Sequence, residues 1–178
     1  MAKHGAKSAK STKRDIAPPA PESAEGDTAV DLTMLDNLIG YNLRRAHGVQ
    51  IQRFTSVFGP LNVRPVQFSI LGLIHHNPEL KQSELGRALN IERANIVNLL
   101  AELEDRGLVT RRTTQADRRS RVLHLTPAGR KLTLKLLDLH ARLERNLEEH
   151  LGGRERDQLL KLLAAFRRLD PAPDLGDD

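Results

Sequence analysis

The sequence predicts a mainly α chain that carries one small β-hairpin. Three observations predict it. Apolar residues recur at three- and four-residue steps through most of residues 31–169. A short helical pattern, a tight turn and a longer helical pattern fill residues 82–106. An Arg-rich stretch of alternating apolar and polar residues then runs to Leu125.

The elements follow in order. Residues 1–29 are rich in Lys, Ala, Ser, Pro and Glu without apolar periodicity, which predicts a disordered basic arm. From Asp31, the positions Leu32, Leu35, Ile39, Leu43, Ala46, Val49, Phe54 and Val57 form the stripe of one long helix. Asp31 or Thr33 is placed to cap it, and Gly59-Pro60 to stop it. A second helix opens at Pro65, suited to a first helical position, and closes before Asn77-Pro78. Its Val66, Phe68, Ile70, Leu71, Leu73 and Ile74 leave almost no polar face, so it belongs at the centre of the core.

Gln82 to Leu89 reads as a short helix with Leu85 and Leu89 inward, Gly86 at a close helix approach, and Asn90 making the turn. Glu92 to Arg106 reads as the longer helix, with Ile96, Leu99, Leu100 and Leu103 buried and Gly107 as a left-handed cap. Two strands follow, 108–114 and 120–125. Thr126 caps a helix that starts at Pro127 and carries Leu132, Leu136, Leu139, Leu143, Leu147 and Leu151. Gly152-Gly153 breaks that helix. A last one has Leu159, Leu162, Leu163, Phe166 and Leu169 apolar, and residues 170–178 read as a disordered acidic tail.

Composition narrows the function. The formal charge of +5 favours a polyanionic partner. With no Cys, disulfides, thiolate metal sites and thiol redox sensing are excluded. The seven His are scattered without His-x3-His spacing, so no metal or other cofactor is expected. Aromatics are 3% of residues, too few for the stacking platforms that single-stranded nucleic acids need. No apolar run reaches the ~18 residues of a membrane span, and no secretory signal opens the chain, so a cytoplasmic protein that does not contact membranes is expected. No phosphate-cradling loop, nucleophile elbow or carboxylate pair points to an enzyme.

The helix–turn–helix and hairpin together have the shape of a winged helix-turn-helix, a reader of double-stranded DNA. The N-terminal residues of its second helix reach base edges in the major groove. Arg93, Asn95 and Asn98 lie there, off the buried stripe. Asn pairs with adenine and Arg with guanine through two hydrogen bonds each. Five Arg and one Asp between Val109 and Arg121 give the hairpin a local charge of +4. Arg111, Arg112 and Arg121, near its base, are expected on phosphates or in solvent. Of the tip residues, Arg119 or Arg118 is expected in the minor groove, with Asp117 orienting a neighbour. The terminal helices are more apolar than one such module needs. They are expected to bury each other across a two-fold axis, giving a homodimer and a pseudo-palindromic DNA site.

The fold class is thus mainly α with a small β-wing: a winged helix-turn-helix plus N- and C-terminal dimerisation helices. The expected organisation is an arm (1–29), a dimerisation helix (30–62), a DNA-binding lobe (63–126), dimerisation helices (127–169) and a tail (170–178).

Residues from about Asp31 to Leu169 resemble the MarR (multiple antibiotic resistance regulator) family. The resemblance rests on Arg64-Pro65-Val66-Gln67-Phe68-Ser69-Ile70-Leu71, Gln82-Ser83-Glu84-Leu85-Gly86 and Leu103-Glu104-Asp105-Arg106-Gly107-Leu108-Val109. It rests also on Asp117-Arg118-Arg119-Ser120 and Leu125-Thr126-Pro127-Ala128-Gly129. The resemblance implies a dimer joined by its first and last helices, and a small ligand bound between those helices and the DNA-reading lobe. The run Gly40-Tyr41-Asn42-Leu43-Arg44-Arg45-Ala46 is similar to the branch that governs catabolism of aromatic acids or their coenzyme A thioesters.

Two positions depart from the family pattern. Lys81 stands where a capping hydroxyl is usual, and Glu92-Arg93-Ala94-Asn95 replaces a common small hydroxyl residue. Lys81 cannot accept amide protons, so Ser83 or water must help there.

On this reading Arg44 and Arg45 form either a clamp for an anionic aromatic or acyl-CoA effector, or charges of the dimer surface. His75 either lines the pocket or is a satisfied helix end. The expected function is a sequence-specific repressor released from its operator by that effector. The alternative is a ligand-independent architectural or antirepressor module of the same fold.

Overall fold

The computed structural model describes residues 30–113 and 121–169. Residues 1–29, 114–120 and 170–178, and with them the expected arm, hairpin tip and tail, lie outside the described residues. The elements run α1 (Thr33–Asp36), α2 (Ile39–Phe58), a 3-10 turn (Gly59–Leu61), α3 (Pro65–His76), α4 (Gln82–Leu89), α5 (Arg93–Asp105), β1 (Val109–Thr113), β2 (Arg121–Leu125), α6 (Pro127–Leu151) and α7 (Gly153–Phe166). The mainly helical architecture with one small antiparallel wing is the one the sequence predicts.

The chain divides into two units, residues 1–42 and 43–178. In the first, the expected single long helix is instead broken after Asp36. At the break, asparagine side chains donate to backbone carbonyls, and those of Thr33 and Asp36 are ones a continuous helix would use for its own amides. Asn37 Nδ2 donates to the Thr33 carbonyl at 2.9 Å, and Asn42 Nδ2 donates to those of Asp36 and Leu38 at 2.8 and 2.9 Å. The N-cap of α1 is Leu32, without a side-chain capping bond, in place of the Asp31 or Thr33 expected; Asp31 lies one residue earlier. It accepts the Thr33 hydroxyl at 2.6 Å and the Thr33 amide at 2.9 Å, which together hold its carboxyl below the ordinary value.

In the second unit α3 is central, as its apolar sequence requires. Ile70 and Leu71 are fully buried, together with Leu85, Leu100, Leu103 and Leu136 from α4, α5 and α6. Each such side chain contributes about 1.5–3 kcal/mol of burial. An aromatic stack that the periodicity did not reveal extends this core. Phe54 and Phe58 lie 4.2 Å apart, and Phe68 stacks on His140 of α6 at 4.7 Å.

The joints around α4 and α5 position the DNA-facing surface. Lys81, the N-cap of α4, makes no side-chain capping bond; the Glu84 carboxylate accepts the amide of Lys81 itself at 2.9 Å and places negative charge at the helix start. Asn90 turns with φ 51°, and the Ile91 amide returns to the Gly86 carbonyl at 2.9 Å. A Cβ on Gly86 would sit 3.3 Å from the Ile91 carbonyl oxygen, so the close approach expected there is present. Gly107 takes φ 65°, and the Leu108 amide reaches the Leu103 carbonyl at 2.9 Å, closing α5 as a left-handed cap.

The wing pairs Val109 with Leu125 through Thr113 with Arg121, in antiparallel register. Its base is tied on two sides. The Leu123 amide bonds the Leu80 carbonyl at 3.0 Å, with a single bridge between Lys81 and Val122. On the other side, Thr126 donates its hydroxyl to the Gly107 carbonyl at 2.6 Å and accepts the Gly129 amide at 3.0 Å as the cap of α6. Gly129 lies against the same junction: a Cβ there would fall 1.9 Å from the Leu108 carbonyl oxygen. Gly152, with φ 93°, separates α6 from α7, and α7 leaves Leu162 61% and Phe166 45% exposed.

Candidate nucleic-acid interface

Helix α5 carries the reading surface. Ile96, Leu100 and Leu103 bind it to the core, and this leaves Arg93, Asn95, Val97 and Asn98 exposed at its N-terminal half. Glu92 precedes the helix as its N-cap without a side-chain capping bond. Beside this face lies a cleft of about 660 Å³, lined in part by Gln82, Ser83, Arg87, Asn90, Arg93 and Val97. Polar donors from both helices of the motif therefore converge on one concave surface. That is an arrangement able to meet base edges and phosphates together.

The wing residues separate. Arg112 is exposed on β1. Arg111 is turned inward: its side chain is 14% exposed, its Nη2 lies 2.8 Å from Glu104, and the same nitrogen reaches the Val97 carbonyl at 3.5 Å. A guanidinium held in this way fastens β1 to α5, so Arg111 stands apart from the exposed cations. Asp117, Arg118 and Arg119 lie outside the described residues.

The expected effector residues sit on two helices. Arg44 and Arg45 are exposed on α2 and both are engaged in interactions. His75, on α3, is half-buried; its Nδ1 is buried and makes no hydrogen bond among the described residues. Its neighbour His76 is satisfied by the Gly72 carbonyl at 2.9 Å. None of Arg44, Arg45 and His75 lines the cleft at α5 or the smaller one, about 450 Å³, near Arg64 and Glu102. Among the described residues, no group of three or more His, Asp or Glu is placed to hold a metal ion.

Residues that the sequence reading missed surround α5 at its far end. Gln67, 4% exposed, donates its amide to Glu102 at 3.1 Å, and Arg64 pairs with Glu102. A Gln three residues after a cap position was the available signal.

Taken together, the helix–turn–helix, its exposed polar face and the hairpin beside it define a winged-helix DNA-binding regulator. Residues 61–120 match the family model described as MarR family. A relative from Thauera aromatica, assigned as the transcriptional regulatory protein for the hcr operon, is 32% identical over 133 residues, 74% of this chain and 80% of that protein. Among solved structures, the transcriptional repressor CouR bound to a 23-mer DNA duplex is 39% identical, with a TM-score of 0.75, covering 79% of this chain and all of that one. CouR bound to p-coumaroyl-CoA is 36% identical, with a TM-score of 0.72, covering 80% of this chain and all of that one. The chain belongs to the MarR family of transcriptional regulators.

Proposed function

We propose that the protein is a homodimeric repressor that binds a pseudo-palindromic operator and leaves it when an anionic aromatic or acyl-CoA effector binds. The carrying observation is α5, held by Ile96, Leu100 and Leu103, with Arg93, Asn95 and Asn98 exposed above a cleft shared with α4. Arg93, Asn95 and Asn98 read bases, Arg112 serves the phosphate backbone, and Arg119 or Arg118 serves the minor groove with Asp117 orienting a neighbour. Arg111 acts from behind, through Glu104.

Dimerisation uses the apolar positions that a single chain leaves exposed, among them Leu159, Leu162 and Phe166 on α7. For the effector, Arg44 and Arg45 supply cations and His75 a buried ring nitrogen that makes no hydrogen bond among the described residues. Support for an acyl thioester comes from CouR, solved with p-coumaroyl-CoA. The effector shifts the population of dimers away from the spacing that fits two successive major grooves.

Gel-shift titration tests the reading. The protein should prefer duplex from its regulated promoter over random duplex, and p-coumaroyl-CoA or a related thioester should release the complex. Equal affinity for both duplexes overturns the repressor reading, whereas a specific complex untouched by aromatic acids and thioesters overturns the effector class alone.

A further inference from the structure

We infer that Glu102 and Glu104 form a polar yoke that sets the roll of α5, making both carboxylates positioning residues for sequence reading without any contact to DNA. The inference rests on the DNA-reading role proposed for α5. Two residues apart on a helix means about 200° of rotation, so the two side chains leave α5 on opposite flanks.

Each flank has a different anchor. On one side Glu102 receives Nε2 of Gln67 at 3.1 Å and the guanidinium of Arg64, both from the start of α3. The Arg64–Glu102 pair is half exposed and contributes little alone. Gln67 is the firm element. Its Oε1 also accepts the Arg64 amide at 3.1 Å and Nη1 of Arg106 at 3.5 Å, so this buried amide is satisfied only while α3 and α5 keep their places. On the other side Glu104 receives Arg111 of β1 at 2.8 Å, and the same guanidinium nitrogen reaches the Val97 carbonyl at 3.5 Å. Here the pair is well shielded, at 14% and 30% exposure.

The yoke lies at the C-terminal part of α5. Asn95 and Glu102 are seven residues apart, about 10 Å along the axis. The carboxylates thus lie well away from the bases, yet a roll of about 10° moves a side-chain tip at the reading end by about 1 Å. Bidentate base contacts tolerate little more than that.

Charge and geometry make opposite predictions for Glu102→Ala and Glu104→Ala. Removing a carboxylate near a polyanion raises affinity for any duplex if only charge matters. Ala is the best helix former, so α5 itself is not weakened. The yoke instead lowers affinity for the specific duplex by about tenfold in each variant, while affinity for random duplex holds or rises. Arg111→Lys separates the two effects, since it keeps the charge but lacks the planar fork; it should lose the same selectivity.

The measurement is binding of the full-length protein to two duplexes of equal length at one salt concentration. One is a duplex that the wild-type protein enriches from a random-sequence library, and the other is unselected. Melting midpoints are recorded in parallel. A tenfold fall in the ratio of the two affinities, in protein that is folded at the assay temperature, supports the yoke. A lowered midpoint with an unchanged ratio shows a merely stabilising pair and overturns it. Should an Ala variant not fold, Arg111→Lys decides by the same ratio. If the wild-type protein enriches no sequence, the base-reading role of α5 falls and the yoke with it; enrichment followed by unchanged ratios sinks the yoke alone.

Discussion

At the scale of single residues, Gly129 is the glycine whose added Cβ would meet the closest neighbour. Its missing Cβ leaves room for the Leu108 carbonyl oxygen, which a methyl group would approach to 1.9 Å. Backbone cannot swing away as a side-chain end can. Gly129→Ala should therefore destabilise the fold by about 1–3 kcal/mol or more, the usual cost of overpacking, read as a lowered denaturation midpoint. A wild-type midpoint would refute the contact. Asp31 gives a prediction in pH. Its carboxyl is held below the ordinary value by the Thr33 hydroxyl and amide. A depressed pKa means that the stabilisation is complete above the unfolded pKa and is lost as pH falls through the folded one. The Thr33 amide resonance should report its bond to Asp31 made near neutral pH and released in acid, with Asp31→Asn abolishing the transition. Neither Gly129 nor the buried role of Arg111 was legible in the sequence. Both depend on segments that meet only through the chain's path, while residue type alone marked Arg111 as one more exposed cation.

At the scale of elements, the sequence was most readable where punctuation is local. Pro65 and Asn77-Pro78 bounded α3, Asn90 marked the turn, and Gly86 and Gly107 took the places that helix packing and capping demand. Legibility failed where side chains override periodicity. The apolar stripe ran on through Asn37, but asparagine amides divided the helix. It failed also where polar groups join elements distant in sequence, as Gln67 and Glu102 do. Helix α5 and the wing should respond differently to substitution. Asn95→Ala or Asn98→Ala should cost about 1–3 kcal/mol on the specific duplex and almost nothing on random duplex. Arg112→Ala should weaken both alike and reduce the slope of log affinity against log salt by about one. An Arg112 variant that loses only specific binding would exchange these roles.

At the scale of the whole molecule, assembly and charge decide behaviour. Leu162 and Phe166 are 61% and 45% exposed in the single chain, an expensive display of apolar surface unless a second copy covers it. Phe166→Asp should convert the sedimenting species from dimer to monomer while leaving helix content unchanged; an unaltered dimer would remove α7 from the interface. The net charge of +5 and the basic wing predict that affinity for DNA falls steeply between low and physiological salt. A flat dependence would contradict binding through phosphates.

The base of the wing has a consequence for engineering. Strand register there is clamped by Thr126 on Gly107, by the Leu123 amide on Leu80 and by Gly129 under Leu108. These clamps sit at the base of the hairpin and act on backbone groups, so a side-chain exchange farther along β1, such as Arg112→Ala, leaves the wing seated while its surface chemistry changes.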